Sequence, residues 1–108
     1  MEQKQYNKLV RDNIPDILET KGLAFDFHVA EDAEYEEKLF AKLVEEAREV
    51  EEAKSIEEIA DLYEVLEAIR KLKGYSEEEI RKVQKEKGER RGKFEKKIIL
   101  EHSDPNYP

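Results

Sequence analysis

Residues 43–61 read LVEEAREVEEAKSIEEIAD, and two amphipathic helices meet inside that stretch. Upstream, the spacing predicts a helix from a cap at Asp32 to about Lys54, with Leu39, Phe40, Leu43, Val44, Ala47 and Val50 on one face. Downstream, Ser55 followed by Glu58 has the spacing of a capping box, opening a helix over 56–73 that Gly74 ends. The connection around Ala53 to Ser55 is so short that the two helices fold back as an antiparallel hairpin. The expected fold class is all-α, a helical hairpin bundle with minor β segments near the termini.

Four acids stand out on this hairpin. At about 100° per residue, Glu46 and Glu49 border the apolar face of the first helix, while Glu45 and Glu52 point away. The second helix has a wide apolar arc of Ile56, Ile59, Leu62, Tyr63, Val65, Leu66, Ile69 and Leu72. Glu58 falls inside that arc and Asp61 at its edge, where the periodicity asks for hydrophobes. Facing positions in an antiparallel hairpin have indices of constant sum, which sets Glu49 opposite Glu58 and Glu46 opposite Asp61. Four carboxylates in a partly apolar seam repel one another and lose hydration. A hard divalent cation with oxygen ligands, Mg²⁺ or Mn²⁺, would neutralise them, and Mg²⁺ commonly bridges to substrate phosphates. Spacing alone leaves a second reading open: a solvated acidic face with Lys42 and Arg48 as surface partners.

Outside the hairpin the signals are shorter. Asp12 or Asn13 can cap a brief helix with Pro15 in its first turn and Gly22 beyond its end. Residues 24–29, AFDFHV, alternate strictly and predict a short strand that places His28 opposite Phe25, Phe27 and Val29. A second capping box, Ser76 to Glu79, opens a helix that ends between Glu86 and Arg91. Residues 94–100, FEKKIIL, are expected to form a strand pairing with 24–29, and 101–108 a loose tail. Residues 1–108 are read as one domain.

Composition narrows the function. Of 108 residues, 44% are charged and only 38% hydrophobic, with a formal net charge of −8. So thin an apolar supply suggests a core completed by association, as a homodimer or homotetramer. The absence of cysteine excludes disulfides, thiolate metal sites and cysteine nucleophiles, and His28 and His102 are too few for a histidine-based centre. No apolar run approaches a membrane span, and the start MEQKQYNKLV lacks the apolar core of a leader, so the chain is expected to be cytoplasmic with no membrane partner. Residues 31–67 hold 15 acids against 4 bases, whereas residues 81–97 hold 9 bases against 3 acids. Overall acidity argues against nucleic acid, while an acidic middle and a basic end suit a site for a cation together with a polyanion.

The pattern Glu45-Glu46-x-x-Glu49 followed by Glu58-x-x-Asp61 resembles the EExxE…ExxD signature of the all-α nucleoside triphosphate pyrophosphatases. These are the MazG-like proteins, related to dimeric dUTPases and phosphoribosyl-ATP pyrophosphohydrolases. The opening YNKLVRDNIPDIL (6–18) and the closing KGERRGKFEKKIIL (87–100) resemble a small single-domain branch of house-cleaning enzymes, so the likeness runs from Tyr6 to Leu100. It implies Mg²⁺-dependent hydrolysis of a nucleoside triphosphate, of a non-canonical kind, between the α and β phosphates. It also implies Glu46, Glu49, Glu58 and Asp61 as the metal-holding catalytic residues. Glu45 matches the leading acid of the signature, although the wheel turns it outward. Lys87 and Arg91 match a pair of basic phosphate ligands. Asn7, Lys8, Arg11 and Asp12 match the N-terminal pattern, Lys8 and Arg11 as phosphate donors and Asn7 or Asp12 towards sugar or base. One departure is the gap of 8 residues between Glu49 and Glu58, shorter than the family's usual spacing. Two competing readings remain: a phosphoribosyl-ATP pyrophosphohydrolase, against which the N-terminal pattern speaks, and a catalytically silent helical interaction module.

Overall fold

Four helices make up the regular structure of the computed structural model, which describes residues 6–107. They are α1 (Ile14–Thr20), α2 (Asp32–Ala53), α3 (Ile56–Lys73) and α4 (Glu77–Arg91). Residues 1–5, part of the stretch read as lacking a leader, and Pro108 in the tail lie outside the described residues. The all-α expectation holds, and among the described helices none is long and apolar enough to cross a membrane. The chain divides into two units, one ending at Gly74 and the other starting at Tyr75.

The first unit is organised by the hairpin. Lys54 takes the left-handed conformation (φ 53°) and closes α2 with its N–H on the Val50 carbonyl at 2.9 Å. Ser55 is extended and starts α3 at once. With two residues between them, α2 and α3 pack against each other antiparallel. Lys73 near the end of α3 pairs with Glu36 near the start of α2 and stands 5.7 Å over the Phe40 ring. Leu39 (2% exposed) and Val65 (8%) are the buried hydrophobes of this seam. Leu43 and Val50 on α2 flank them, with Leu62, Ile69 and Leu72 on α3, all half-buried. Fully burying one such aliphatic side chain is worth about 1.5–3 kcal/mol, so this core is modest.

Much of the apolar face stays open. Ile56, Ile59, Tyr63 and Leu66 are exposed and recur three or four residues apart, a stripe down one side of α3. Phe40 and Val44 are exposed on α2. The arc of α3 is thus wider than α2 can cover, as its sequence implies.

Helix ends both confirm and correct the sequence reading. Glu31, not Asp32, takes the N-cap of α2, and Asp32 is its first helical residue, where its charge favours the helix dipole. Ser55 does sit at the N-cap of α3, but its hydroxyl donates to the Glu58 carboxylate instead of accepting from the backbone, so no capping box forms there. In α1 Asn13 holds the cap position without a side-chain bond, and Pro15 lies in the first turn. Gly22 (φ 69°) ends that helix, with Leu23 N–H reaching the Leu18 carbonyl at 3.0 Å.

The expected strands do not form among the described residues. Alternation over 24–29 decides which side chains share a side, but a strand exists only when a neighbour supplies ladder hydrogen bonds. Its intended partner is broken by a turn in which Lys97 N–H reaches the Phe94 carbonyl at 3.3 Å and Lys97 itself is left-handed (φ 58°).

The second unit consists of α4 and the segment after it. Here the capping box is complete: Glu79 N–H donates to Ser76 Oγ at 3.0 Å and Ser76 N–H to Glu79 Oε1 at 3.2 Å. The helix ends at Arg91, before Gly92 with φ 80°.

Candidate functional site

Leu39, Leu43, Glu46 and Val50 follow one another at four- and three-residue steps, the spacing of a packing seam. Glu46 therefore occupies a place in α2 that the hairpin buries, and only 6% of it is exposed. Its Oε2 is shut away from solvent without a hydrogen-bond partner among the described residues. A buried carboxylate oxygen in this state is costly and calls for a compensating charge.

Glu45 and Glu49 gather around it. Glu49 lies one helical turn from both Glu45 and Glu46, and one oxygen of each of the three lies within 4.8 Å of the others. Their environments differ. Burial pushes the Glu46 carboxyl up from its ordinary value, and the nearby Glu49 carboxylate adds to this. The negative charge of Asp61 on α3 raises it further. Lys42, at 3.6 Å from Glu46, pulls the other way without cancelling these effects.

Two bases from the N-terminal segment reach the same helices. Lys8 Nζ donates to Glu45 Oε1 at 3.0 Å. That bond holds the Glu45 carboxyl below its ordinary value and raises the Lys8 ammonium. Lys42 approaches the other Glu45 oxygen at 3.5 Å. Arg11 Nη2 donates to Asp61 Oδ1 at 2.7 Å, and its Nη1 lies 3.8 Å from Glu64. The segment thus fastens Lys8 to α2 and Arg11 to α3.

The structure sorts the residues singled out in the sequence. Glu46 and Glu49 are together, joined by Glu45 in the place expected for Glu58. Glu58 is half-buried and bonded to Ser55. Asp61 acts on Glu46 but is engaged by Arg11. Asn7 is exposed and adopts φ 46°, a left-handed conformation that asparagine tolerates better than most residues. Asp12 is exposed. Lys87 and Arg91 are exposed in the second unit, one turn apart on α4. The inclusion of Glu45 could have been read from its i, i+4 relation to Glu49, which puts both on one side of the helix. The Lys8 and Arg11 pairs join residues far apart in sequence, and no local pattern announces them.

The donor set is made of carboxylate oxygens alone, with neither imidazole nor thiolate. Such a set fits a hard divalent cation, and Glu46, one of the three acids, also carries a buried oxygen without a partner among the described residues. No protein-family model, curated protein or solved structure matches the chain.

Proposed function

We propose that this chain is a MazG-like nucleoside triphosphate pyrophosphohydrolase dependent on Mg²⁺ or Mn²⁺. In this reading it hydrolyses a triphosphate, of a non-canonical or modified nucleotide, to monophosphate and pyrophosphate. The observation that carries it is the buried oxygen of Glu46, unpartnered among the described residues, beside Glu45 and Glu49. These three residues would hold the cation, with the charge of Asp61 adjacent. A bound divalent cation supplies neutralisation of phosphate oxygens and lowers the pKa of a water molecule.

The remaining roles fall to the chain's own groups. Glu46 is buried in the seam and Glu49 lies at its solvent-facing side one turn away. Negative charge is thus concentrated at the mouth of a partly apolar seam, which strengthens the hold on a cation. Lys8 and Arg11 carry charged donors at the edge of the same acids, the chemistry that orients a triphosphate and meets the charge gathering on the leaving pyrophosphate. Water adds across the α–β anhydride, and the departing oxygen leaves with pyrophosphate.

The same reading includes association into a homodimer or homotetramer. The exposed stripe of Ile56, Ile59, Tyr63 and Leu66 has the spacing and apolarity of a helix-packing face, and a second hairpin offers an equivalent surface. The test of function is pyrophosphate release from a panel of canonical and modified nucleoside triphosphates, with Mg²⁺ and with EDTA. Metal-dependent release that Glu49→Gln abolishes is the expected result. Release indifferent to that change refutes the assignment.

A further inference from the structure

Lys8 and Arg11 differ in what they hold and how firmly. Lys8 shares Glu45 with Lys42, so both oxygens of that carboxylate already face an ammonium group, at 3.0 and 3.5 Å. Glu45 is also one of the three acids whose oxygens converge. A divalent cation coordinated through either oxygen of Glu45 therefore meets an ammonium group on the same carboxylate, and Lys8, the nearer, competes with it. Arg11 instead engages Asp61 and Glu64, two acids of α3 outside that convergent trio. Between the two bases lie Leu9 and Val10, in a stretch with no regular secondary structure.

We infer that Lys8 is an exchangeable counter-ion: it competes with a divalent cation for Glu45, and once displaced it carries its charge to the phosphates of the substrate. Arg11 is the positioning residue of this exchange. Its two contacts on α3 keep the segment tethered while Lys8, three residues away, changes partners. The exchange costs little, because Lys8 and Glu45 are both partly solvated and exposed ion pairs are weak. It also keeps the local charge balanced, since a cation arriving among the acids would otherwise face a fixed ammonium a few ångströms away. The inference rests on the reading of Glu45, Glu46 and Glu49 as a cation site.

The competition fixes opposite signs for two affinities, which a purely structural lysine would not produce. Isothermal titration of Mn²⁺ alone into Lys8→Gln should show binding about two- to fivefold tighter than in the unaltered chain. Titration of inorganic triphosphate at saturating Mn²⁺ should show binding roughly tenfold weaker, the loss of one charge-assisted contact. Lys8→Arg, which keeps the charge, should stay close to the parent in both titrations. Thermal melts of each variant establish that it is folded. Mn²⁺ binding that is unchanged or weaker in Lys8→Gln overturns the exchange, and so does tighter Mn²⁺ binding with triphosphate affinity intact. Failure of the unaltered chain to bind Mn²⁺ at all refutes the cation site itself, and the exchange with it.

Discussion

Replacing Glu46 by Gln removes a charge from the α2–α3 seam while keeping nearly the same shape. The carboxylate is 6% exposed, one oxygen lacks a partner among the described residues, and Glu49 and Asp61 both push its proton affinity up. Leaving a buried polar group unsatisfied costs about 1–3 kcal/mol, and more where it is charged. The amide has no charge for the neighbouring acids to repel, and its NH₂ can donate to the Glu49 carboxylate. Glu46→Gln is therefore expected to stabilise the protein by about 1–3 kcal/mol at neutral pH in EDTA. For a domain of this size that corresponds to a rise in Tm of roughly 4–8 °C per kcal/mol.

The sign of the pH dependence follows from the same groups. Below the ordinary glutamate value of 4.5, Glu46 is protonated in both the folded and the unfolded chain, and the variant gains nothing from the lost charge. As pH rises above that value the unfolded chain ionises first, because the folded carboxyl is shifted upward, and the parent loses stability. The advantage of Glu46→Gln should grow across this window and level off once the folded carboxyl has ionised. Circular-dichroism melts at fixed protein concentration, with EDTA, across that range are the assay. A variant no more stable than the parent at neutral pH, or a difference that does not change with pH, would refute the reasoning.

Other consequences can be checked alongside. Mg²⁺ at one hundred times its Kd should stabilise the parent by about 2.7 kcal/mol in thermal melts, and Glu49→Gln should lose most of that gain. Ser76→Ala should destabilise α4 by about 1 kcal/mol through loss of a complete capping box, whereas Ser55→Ala should cost clearly less, since its hydroxyl caps no backbone N–H. Urea titration followed by circular dichroism compares the two, and equal losses would contradict the difference seen at the helix starts. Tyr63→Lys should shift the sedimentation coefficient towards the monomer, because it puts a charge on the exposed stripe of α3. An unchanged sedimentation profile would place the association surface elsewhere.

The hairpin was legible because its signals are local and agree with one another: apolar residues at helical spacing, a two-residue connection and a glycine at the end of α3. The places of Glu46 and Glu49 followed from the same periodicity. The departures have physical reasons. A helical wheel assigns angles but not reach, so it turned Glu45 outward although a glutamate side chain can bend back towards Glu49. The Ser55–Glu58 spacing is that of a capping box, yet the hydroxyl bonds the carboxylate directly and leaves the backbone donors aside. Alternation over 24–29 describes a ribbon without naming its neighbour, and the turn at Phe94–Lys97 removes the one proposed. Lys8 on Glu45 and Arg11 on Asp61 are long-range contacts that charge composition hints at but does not pair.

The measurement that bears most directly on the proposed chemistry is ³¹P NMR of a nucleoside triphosphate incubated with the protein and Mg²⁺. Monophosphate and pyrophosphate appearing together, with no signal in EDTA or with Glu49→Gln, is the result this account requires. Diphosphate with orthophosphate, or products that form equally well without the metal, would contradict it.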